Sequence, residues 1–302
     1  MDRLTKEFQS KFQDHCIYDK TVFENIDPKV KLHDQTKENP LSSAAACLNV
    51  LGSLMNKPAE LLTFLNHFGL EIEMLYEFPS DAKVGCRSYA DKGYVVFEWV
   101  GPQESPINEK GGGRGFNRTS IDAYVLAKIN GKITQLLIEW KFTEGKSAAL
   151  AMAKFSGFKG NERLRRYSDI LATLRGKDDF PFRFQEEKGI GLFDFSVDHL
   201  YQLMRMTLLA KMTTPISIGN YTIEDYRIVH LSHSMNKETE IMYEKYLQFS
   251  PGLKKYAGKK LYEVWSDILS PYEQERFRYG HWDEAIKDIE DEELREYLTI
   301  RY

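Results

Sequence analysis

Between Thr119 and Phe142 the chain carries two runs of alternating residues joined by Asn130-Gly131, and no other feature limits its fold as much. Asn and Gly both tolerate the positive φ that a two-residue type I′ turn needs, so the runs read as an antiparallel hairpin. With those two residues as the loop, Ile129 faces Lys132 and, counting outward, Asp122 faces Glu139. Side chains alternate faces along a strand. Ile121, Ala123 and Val125 therefore share a face with Leu136, Ile138 and Trp140, while Asp122, Glu139 and Lys141 share the other. Directly opposed Cβ atoms lie about 4.5 to 5.5 Å apart, so two ionised carboxylates there repel unless a proton or a cation lies between them. Lys141 returns to the face of Glu139 about 7 Å along the strand. On a free surface ribbon the lysine would merely neutralise its neighbour. Ile138, Trp140 and Phe142 make this strand too apolar for that, which predicts a central strand covered on both sides.

An Asp followed on the next strand by Glu-X-Lys, here Asp122, Glu139 and Lys141, resembles the PD-(D/E)XK nuclease superfamily, the restriction-endonuclease-like fold. Ile121 stands where the motif's name has Pro. The resemblance implies an α/β protein whose core is a central mixed β-sheet flanked by helices, with helical N- and C-terminal additions. It further implies that Asp122 and Glu139 hold Mg²⁺, with Mn²⁺ as a substitute, and that the backbone carbonyl of Trp140 supplies a further oxygen. Lys141 would orient the attacking water or stabilise charge growing on the phosphate, and the products would be a 5′-phosphate and a 3′-hydroxyl. Mg²⁺ takes oxygen ligands and keeps several waters, which two carboxylates suit better than histidines or thiols. Superfamily members bring a Gln toward the site on a later helix, and Gln202 fits that role, although Met206 stands where one branch has Tyr. Asp198, Gln202 and Arg205 form one polar stripe, read equally as a helix cap and two residues paired with nearby backbone. Ser42, Ser43 and Asn49 resemble a pattern in bacterial restriction-endonuclease-like proteins of predicted function; the serines read first as hydroxyls satisfying free amides in a helix's first turn.

The surrounding chain supplies helices, strands and charge. Leu4, Phe8 and Phe12 have helical spacing, Asn39-Pro40 announces a second helix, and a third ends near Gly69. Strands are expected from Leu70 to Tyr76, Gly93 to Val100 and Tyr226 to Leu231, and helices from Asn161 to Arg175 and from Asp198 to Met212. Beyond Leu231 the chain reads as helical: Lys237 to Gln248, Lys259 to Leu269, Pro271 to Arg278 and an acidic end. Glu98 is the one charge in its strand, either a further metal-site acid or a strand-edge carboxylate facing water. Gly111, Gly112, Gly113 and Gly115 lack the Gly-Lys-Ser/Thr ending of a P-loop, which removes an ATPase reading. Arg114 and Arg118 in that loop, and Arg163 and Arg166 on the helix after the hairpin, are candidate phosphate contacts, each also readable as a flexible loop or a solvated face. His230 and His233 have no third ligand in sight and are weak as a metal pair.

The net charge of −4 seems opposed to a nucleic-acid partner until its source is located. Asp283 to Glu296 holds eight acids against Lys287 and Arg295, so the remainder is mildly basic. Three scattered cysteines make neither a zinc site nor a disulfide scaffold, and no run approaches a membrane helix, so a cytoplasmic protein is expected. The whole chain, 1–302, reads as one nuclease-like domain: a helical N-terminal segment over 1–69, an α/β core over 70–231 carrying the site, and a helical C-terminal segment over 232–302. The function implied is a metal-dependent endo- or exonuclease acting on DNA rather than RNA, with a homodimer as one arrangement for double-strand cleavage. The alternative is a catalytically silent nuclease-like module that binds nucleic acid or a protein partner.

Overall fold

The computed structural model describes residues 16–23, 39–78, 83–84, 87–88, 93–110, 118–143, 154–184, 189–248 and 250–302. The hairpin forms as the sequence dictates. Strands β5 (Ile121–Ile129) and β6 (Lys132–Lys141) pair antiparallel, with Ile129 opposite Lys132 and the ladder continuing to Ala123 opposite Ile138. Asn130 and Gly131 take φ of 52° and 74°, the left-handed pair that a type I′ turn requires.

Around this hairpin the sheet grows in both directions. Strands β1 (Met74–Tyr76) and β4 (Val96–Trp99) pair antiparallel with successive stretches of β5, making one broken strand along that side. On the other side β9 (Asp225–Ser232) runs parallel to β6, and β10 (Phe277–His281) parallel to β9. The order β1-β5-β6-β9-β10, with β4 also on β5, is a mixed sheet. Two small hairpins stand apart from it: β2 (Lys83–Val84) with β3 (Arg87–Ser88), and β7 (Ile216–Ile218) with β8 (Tyr221–Ile223). Every residue of β6 from Thr134 onward is buried, as a centre strand requires.

Helices flank the sheet: α1 (Ser43–Cys47, continued by a π turn over Leu48–Gly52), α2 (Pro58–Asn66), α3 (Gly157–Leu174), α4 (Asp198–Met212), α5 (Leu261–Ile268) and α6 (Glu292–Arg301). Helix α4 is apolar nearly all round and is buried, with Leu200, Leu203, Met204 and Leu208 in the core. Its C-terminal end is tied to β6, because Gln135 Nε2 donates to Thr213 Oγ1 at 3.2 Å and Thr214 Oγ1 at 2.7 Å. On the opposite sheet face Trp140 stacks on Trp282 at 4.8 Å.

The structure corrects three expectations. The helix after Asn39-Pro40 starts at Ser43, since Asn39 Oδ1 accepts from Leu41 N at 3.0 Å in a preceding turn and Ser42 caps the helix instead. Lys237 to Gln248 is not one helix but two short turns, Lys237–Glu240 and Glu244–Leu247, separated where Ile241 bridges Lys260. The helix from Pro271 stops at Gln274, and Phe277 to Arg278 enters β10, whose period-two run Phe277, Tyr279, His281 is the signal that outweighed helix propensity. The expected helix of Leu4, Phe8 and Phe12 lies outside the described residues.

Candidate functional site

Past Ala123 and Ile138 the β5–β6 ladder opens, and Asp122 enters the split. Its Oδ2 accepts from Trp140 N at 2.8 Å, the amide that a continuing ladder would have used. Backbone groups alternate sides along a strand. Lys141 O accepts from His233 N at 3.1 Å on the β9 side, so the amide and carbonyl of Trp140 both face the β5 side, where Asp122 lies. Glu139 is 4% exposed and Lys141 6%, and Lys141 Nζ donates to Glu139 Oε1 at 2.5 Å. These contacts bring Asp122 to the Trp140 main chain and Lys141 to Glu139 at one end of the sheet, beyond the last paired residues of the hairpin.

The end of β6 is fixed from three directions. Ser43 Oγ at the start of α1 accepts from Phe142 N at 2.8 Å, and Trp282 Nε1 donates to Lys141 O at 2.9 Å, beside the His233 bond already described. Ser43 therefore serves a neighbouring strand, while Ser42 does what a first-turn hydroxyl should, accepting from Ala45 N at 3.3 Å. Asn49 acts elsewhere, knotting Tyr18 N, Cys16 O and Tyr302 OH together, each at 2.9 Å.

His230 is the neighbour that sequence alone did not reveal. It pairs with Glu139 in the parallel β6–β9 ladder, so the two side chains share a face. Its ring is 1% exposed and stacks on Tyr279 with centroids 5.6 Å apart. Burial, with Lys141 and His199 nearby, pushes its pKa well below the ordinary histidine value and keeps it neutral. The buried Nδ1 has no hydrogen-bond partner among the described residues. His233 belongs to the structure instead: Nδ1 accepts from Met235 N at 3.1 Å, so Nε2 carries the proton it gives to Tyr302 O at 2.9 Å. Finding His230 would have required the β6–β9 register, which no local pattern encodes.

Helix α4 packs on β9 and β6 over the face that carries Gln135 and Glu139, and Gln135 Nε2 reaches Ala210 O on it. Gln202 stands one turn into the helix and is half-buried. The other two members of its stripe are paired: Asp198 with Lys154 at 2.8 Å, and Arg205 with Glu109 at 2.9 Å. Glu109 also accepts from Thr119 N, Thr119 Oγ1 and Tyr167 OH at 2.5, 2.9 and 3.0 Å, pinning the chain just ahead of Asp122 to α3 and α4.

Other candidates fall differently. Glu98 is 3% exposed and accepts from Ser120 Oγ at 2.6 Å, which removes the water-facing alternative. Its φ of 55° is a left-handed conformation costly for a residue with a Cβ. Among the described residues no three His, Cys, Asp or Glu side chains converge as a metal cage, so Glu98 is not gathered with Asp122 and Glu139. Arg118 is a correction: it is buried, and its guanidinium donates to Val100 O and Gln103 O, each at 2.9 Å, and to Pro102 O. A side chain spent on three carbonyls clamps its own loop and is not presented to a phosphate. Arg163 is half-buried on α3, donating to Lys154 O at 3.1 Å, and Arg166 is half-buried on the same helix. Arg114 and the glycines beside it lie outside the described residues.

The donor chemistry fits a hard divalent cation. Asp122 and Glu139 would offer carboxylates, and Trp140 a main-chain carbonyl, to such an ion. The same set would suit neither a thiolate-seeking nor an imidazole-seeking metal.

Comparison with known proteins gives one match. A family model described as Restriction Endonuclease associating with ARP matches residues 19–302. No curated protein and no solved structure matches the chain. No helix among the described residues is long and apolar enough to cross a membrane.

Proposed function

The chain belongs to the family described as Restriction Endonuclease associating with ARP, and from that premise we propose that it is a Mg²⁺-dependent nuclease hydrolysing phosphodiester bonds, in DNA rather than RNA. The observation that carries the reading is the opened end of the β5–β6 ladder, where Asp122 caps Trp140 N and Lys141 is held against Glu139. Asp122, Glu139 and the Trp140 carbonyl would hold the cation, with Mn²⁺ as a substitute. Such an ion would supply a water of lowered pKa and polarisation of the scissile phosphate.

The chain's own groups do the rest. Lys141 supplies a buried cation within reach of Glu139, placed to stabilise charge developing on the phosphate or to orient the attacking water. Its low exposure matters, because a charge of the same geometry in bulk water would be screened to little effect. Gln202, carried over the same sheet face by α4, is an accessory contact to the water or phosphate. Arg163 and Arg166 on α3 steer the backbone of the nucleic acid. Neutral His230 keeps a second positive charge away from Lys141.

The test incubates purified protein with supercoiled plasmid and, separately, single-stranded DNA and RNA, in Mg²⁺, Mn²⁺ or EDTA, beside Lys141→Ala. Metal-dependent cutting of DNA, lost in the variant and leaving 5′-phosphate ends, is the expected result. Substrates that are bound but never cut in either metal would instead make the protein a silent nuclease-like binding module.

A further inference from the structure

Between Ser250 and Leu261 the chain carries Lys254, Lys255, Lys259 and Lys260, and no acid. Like charges so close repel, so the ammonium groups must spread into water while the backbone is held by something else. Asp194 holds the start of the segment, its Oδ1 accepting from Gly252 N at 2.8 Å and its backbone carbonyl from Ser250 Oγ at 2.7 Å. Leu253 is buried beneath it. The far end is tied to the chain after β9: Gly258 N donates to Met242 O and Met242 N to Lys259 O, each at 2.9 Å. Gly258 has φ of 82°, so the bend between the two lysine pairs needs a glycine. On this pinned turn all four lysines are exposed.

Three of these charges have no acidic partner. Nearby Lys237 and Lys245 are paired with Glu240 at 2.7 Å and Glu238 at 3.0 Å, whereas Lys254, Lys259 and Lys260 meet no carboxylate among the described residues. Lys255 Nζ lies 5.1 Å from the Tyr256 ring centroid, and Lys260 Nζ 5.5 Å from that of Tyr262. The next acids along the chain, Glu263 and Asp267, stand on α5, and Glu263 Oε2 accepts from the backbone Lys260 N at 3.3 Å.

Position gives the charge a use. In the parallel ladders Glu139 pairs with His230 and His230 with Tyr279, while Lys141 pairs with Ser232 and Ser232 with His281. Paired residues share a face, so the face bearing Glu139 and Lys141 continues across β9 onto β10. Ser232 Oγ lies 2.8 Å from Tyr279 OH along it. Tyr262 stacks on Tyr279 at 4.9 Å, which sets the start of α5, and Lys260 ahead of it, on the same side of the sheet as the proposed site. Two strand spacings and two ring contacts separate Lys260 from Glu139, roughly 20 Å. At about 3.4 Å per base pair, that is about six base pairs along a duplex.

The surroundings select among anionic partners. A lipid surface is gripped by apolar side chains as well as charge, and none of the exposed large apolar residues described lies between Ser250 and Ser270. Protein interfaces are depleted in lysine. Flexible point charges suit backbone phosphates, which they neutralise without reading sequence. Resting on the reading of the chain as a DNA nuclease, we propose that the turn from Lys254 to Lys260 is a backbone-phosphate site, which holds the flank of a duplex about six base pairs from the bond to be cut.

The experiment keeps metal out, so that binding is read apart from cutting. The full chain is titrated into a fluorescent duplex of about thirty base pairs in EDTA, over a series of salt concentrations. Beside it run a variant combining Lys254→Ala, Lys255→Ala, Lys259→Ala and Lys260→Ala, and a control combining Lys132→Ala and Lys287→Ala, exposed lysines elsewhere. The first variant should bind at least tenfold more weakly, and the control should match the parent. Its slope of log affinity against log salt should be smaller by about 2 to 4, since each phosphate contact contributes about 0.9. Acetylation of the parent's lysines with and without duplex, read by mass spectrometry, gives the position: DNA should protect the four and leave Lys132 reactive. Parent affinity in the first variant, equal weakening in the control, no binding by the parent, or the four lysines labelled alike with and without DNA would each overturn the proposal. So would their protection by phosphatidylserine vesicles but not by DNA, which would make the turn a lipid contact. Plasmid left uncut in Mg²⁺ and Mn²⁺ while these lysines still hold DNA would sink the nuclease reading and leave the phosphate site standing. Plasmid cut by a protein whose first variant binds like the parent would do the reverse.

Discussion

Replacing Lys141 with Met should show how strained the proposed site is without its cation. The Lys141 and Glu139 side chains are 7% and 6% exposed and in contact at 2.5 Å, so neither charge can turn to water when the other is removed. Breaking such a pair costs about 3 to 5 kcal/mol, because a buried carboxylate is left uncompensated. For a chain of this size, at about 2 °C per kcal/mol, the loss is a fall in Tm of roughly 6 to 10 °C. Two comparisons distinguish this from lost packing. Glu139→Gln with Lys141→Met should recover most of the stability, since neutral partners of similar shape bear no uncompensated charge. Excess Mg²⁺ or Mn²⁺ should raise the Tm of Lys141→Met more than that of the parent, because a divalent cation at Glu139 replaces the missing ammonium. Urea denaturation and thermal melts of the parent and both variants, in EDTA and in metal, give the numbers. A loss under about 1 kcal/mol, within the range of a solvated pair, would refute the reasoning.

Three further outcomes follow from the geometry. Glu109→Ala removes the acceptor shared by Thr119, Tyr167 and Arg205, and should cost about 3 to 5 kcal/mol in urea denaturation; a change below about 1 kcal/mol, the range of a solvated pair, would mean that the start of β5 is not held from α3 and α4. Burial raises the Asp225 pKa, but the hydrogen bond from Arg227 Nη1 and the nearby Arg276 outweigh it and hold the carboxyl below its ordinary value. The unfolded chain then binds more protons, so this contribution is present above about pH 4 and is lost as pH falls through the depressed pKa; Asp225→Asn should flatten that acid limb of stability, and an unchanged limb would contradict it. Gly131→Val, at φ of 74°, should cost about 1 to 2 kcal/mol, measured the same way, and no loss would mean that the turn differs from type I′.

The hairpin was legible because its evidence is local: Asn130-Gly131 fixes the register, which holds as far as Ala123 and Ile138 and so brings Asp122 to the end of β6. The apolar length of β6 predicted a strand covered on both faces, as it is, while the mixed sheet was expected from the resemblance carried by Asp122, Glu139 and Lys141. Information that lives in pairings distant along the chain was not legible. The β6–β9 register sets His230 beside Glu139 from far along the chain, and nothing near His230 marks it. Strand β10 was hidden by its edge position, where half-exposed Arg278 and Gly280 dilute the apolar alternation. Arg118 misled because a basic residue in a glycine-rich loop looks the same in sequence whether its guanidinium meets phosphates or its own carbonyls. Glu98 could be recognised as an unusual charge in an apolar strand, but its left-handed φ and its bond to Ser120 are properties of the fold around it.

The most direct test of the central claim, that Asp122, Glu139 and the Trp140 carbonyl form a divalent-cation site, is calorimetric titration of Mn²⁺ into the protein and into Asp122→Asn. Asparagine keeps an oxygen to accept from Trp140 N, so the opened strand end is preserved while one charge is removed. The account predicts saturable binding at the Asp122 site in the parent, weakened at least tenfold in the variant, with Mg²⁺ competing. Equal Mn²⁺ affinity in the two proteins, with both folded, would contradict it.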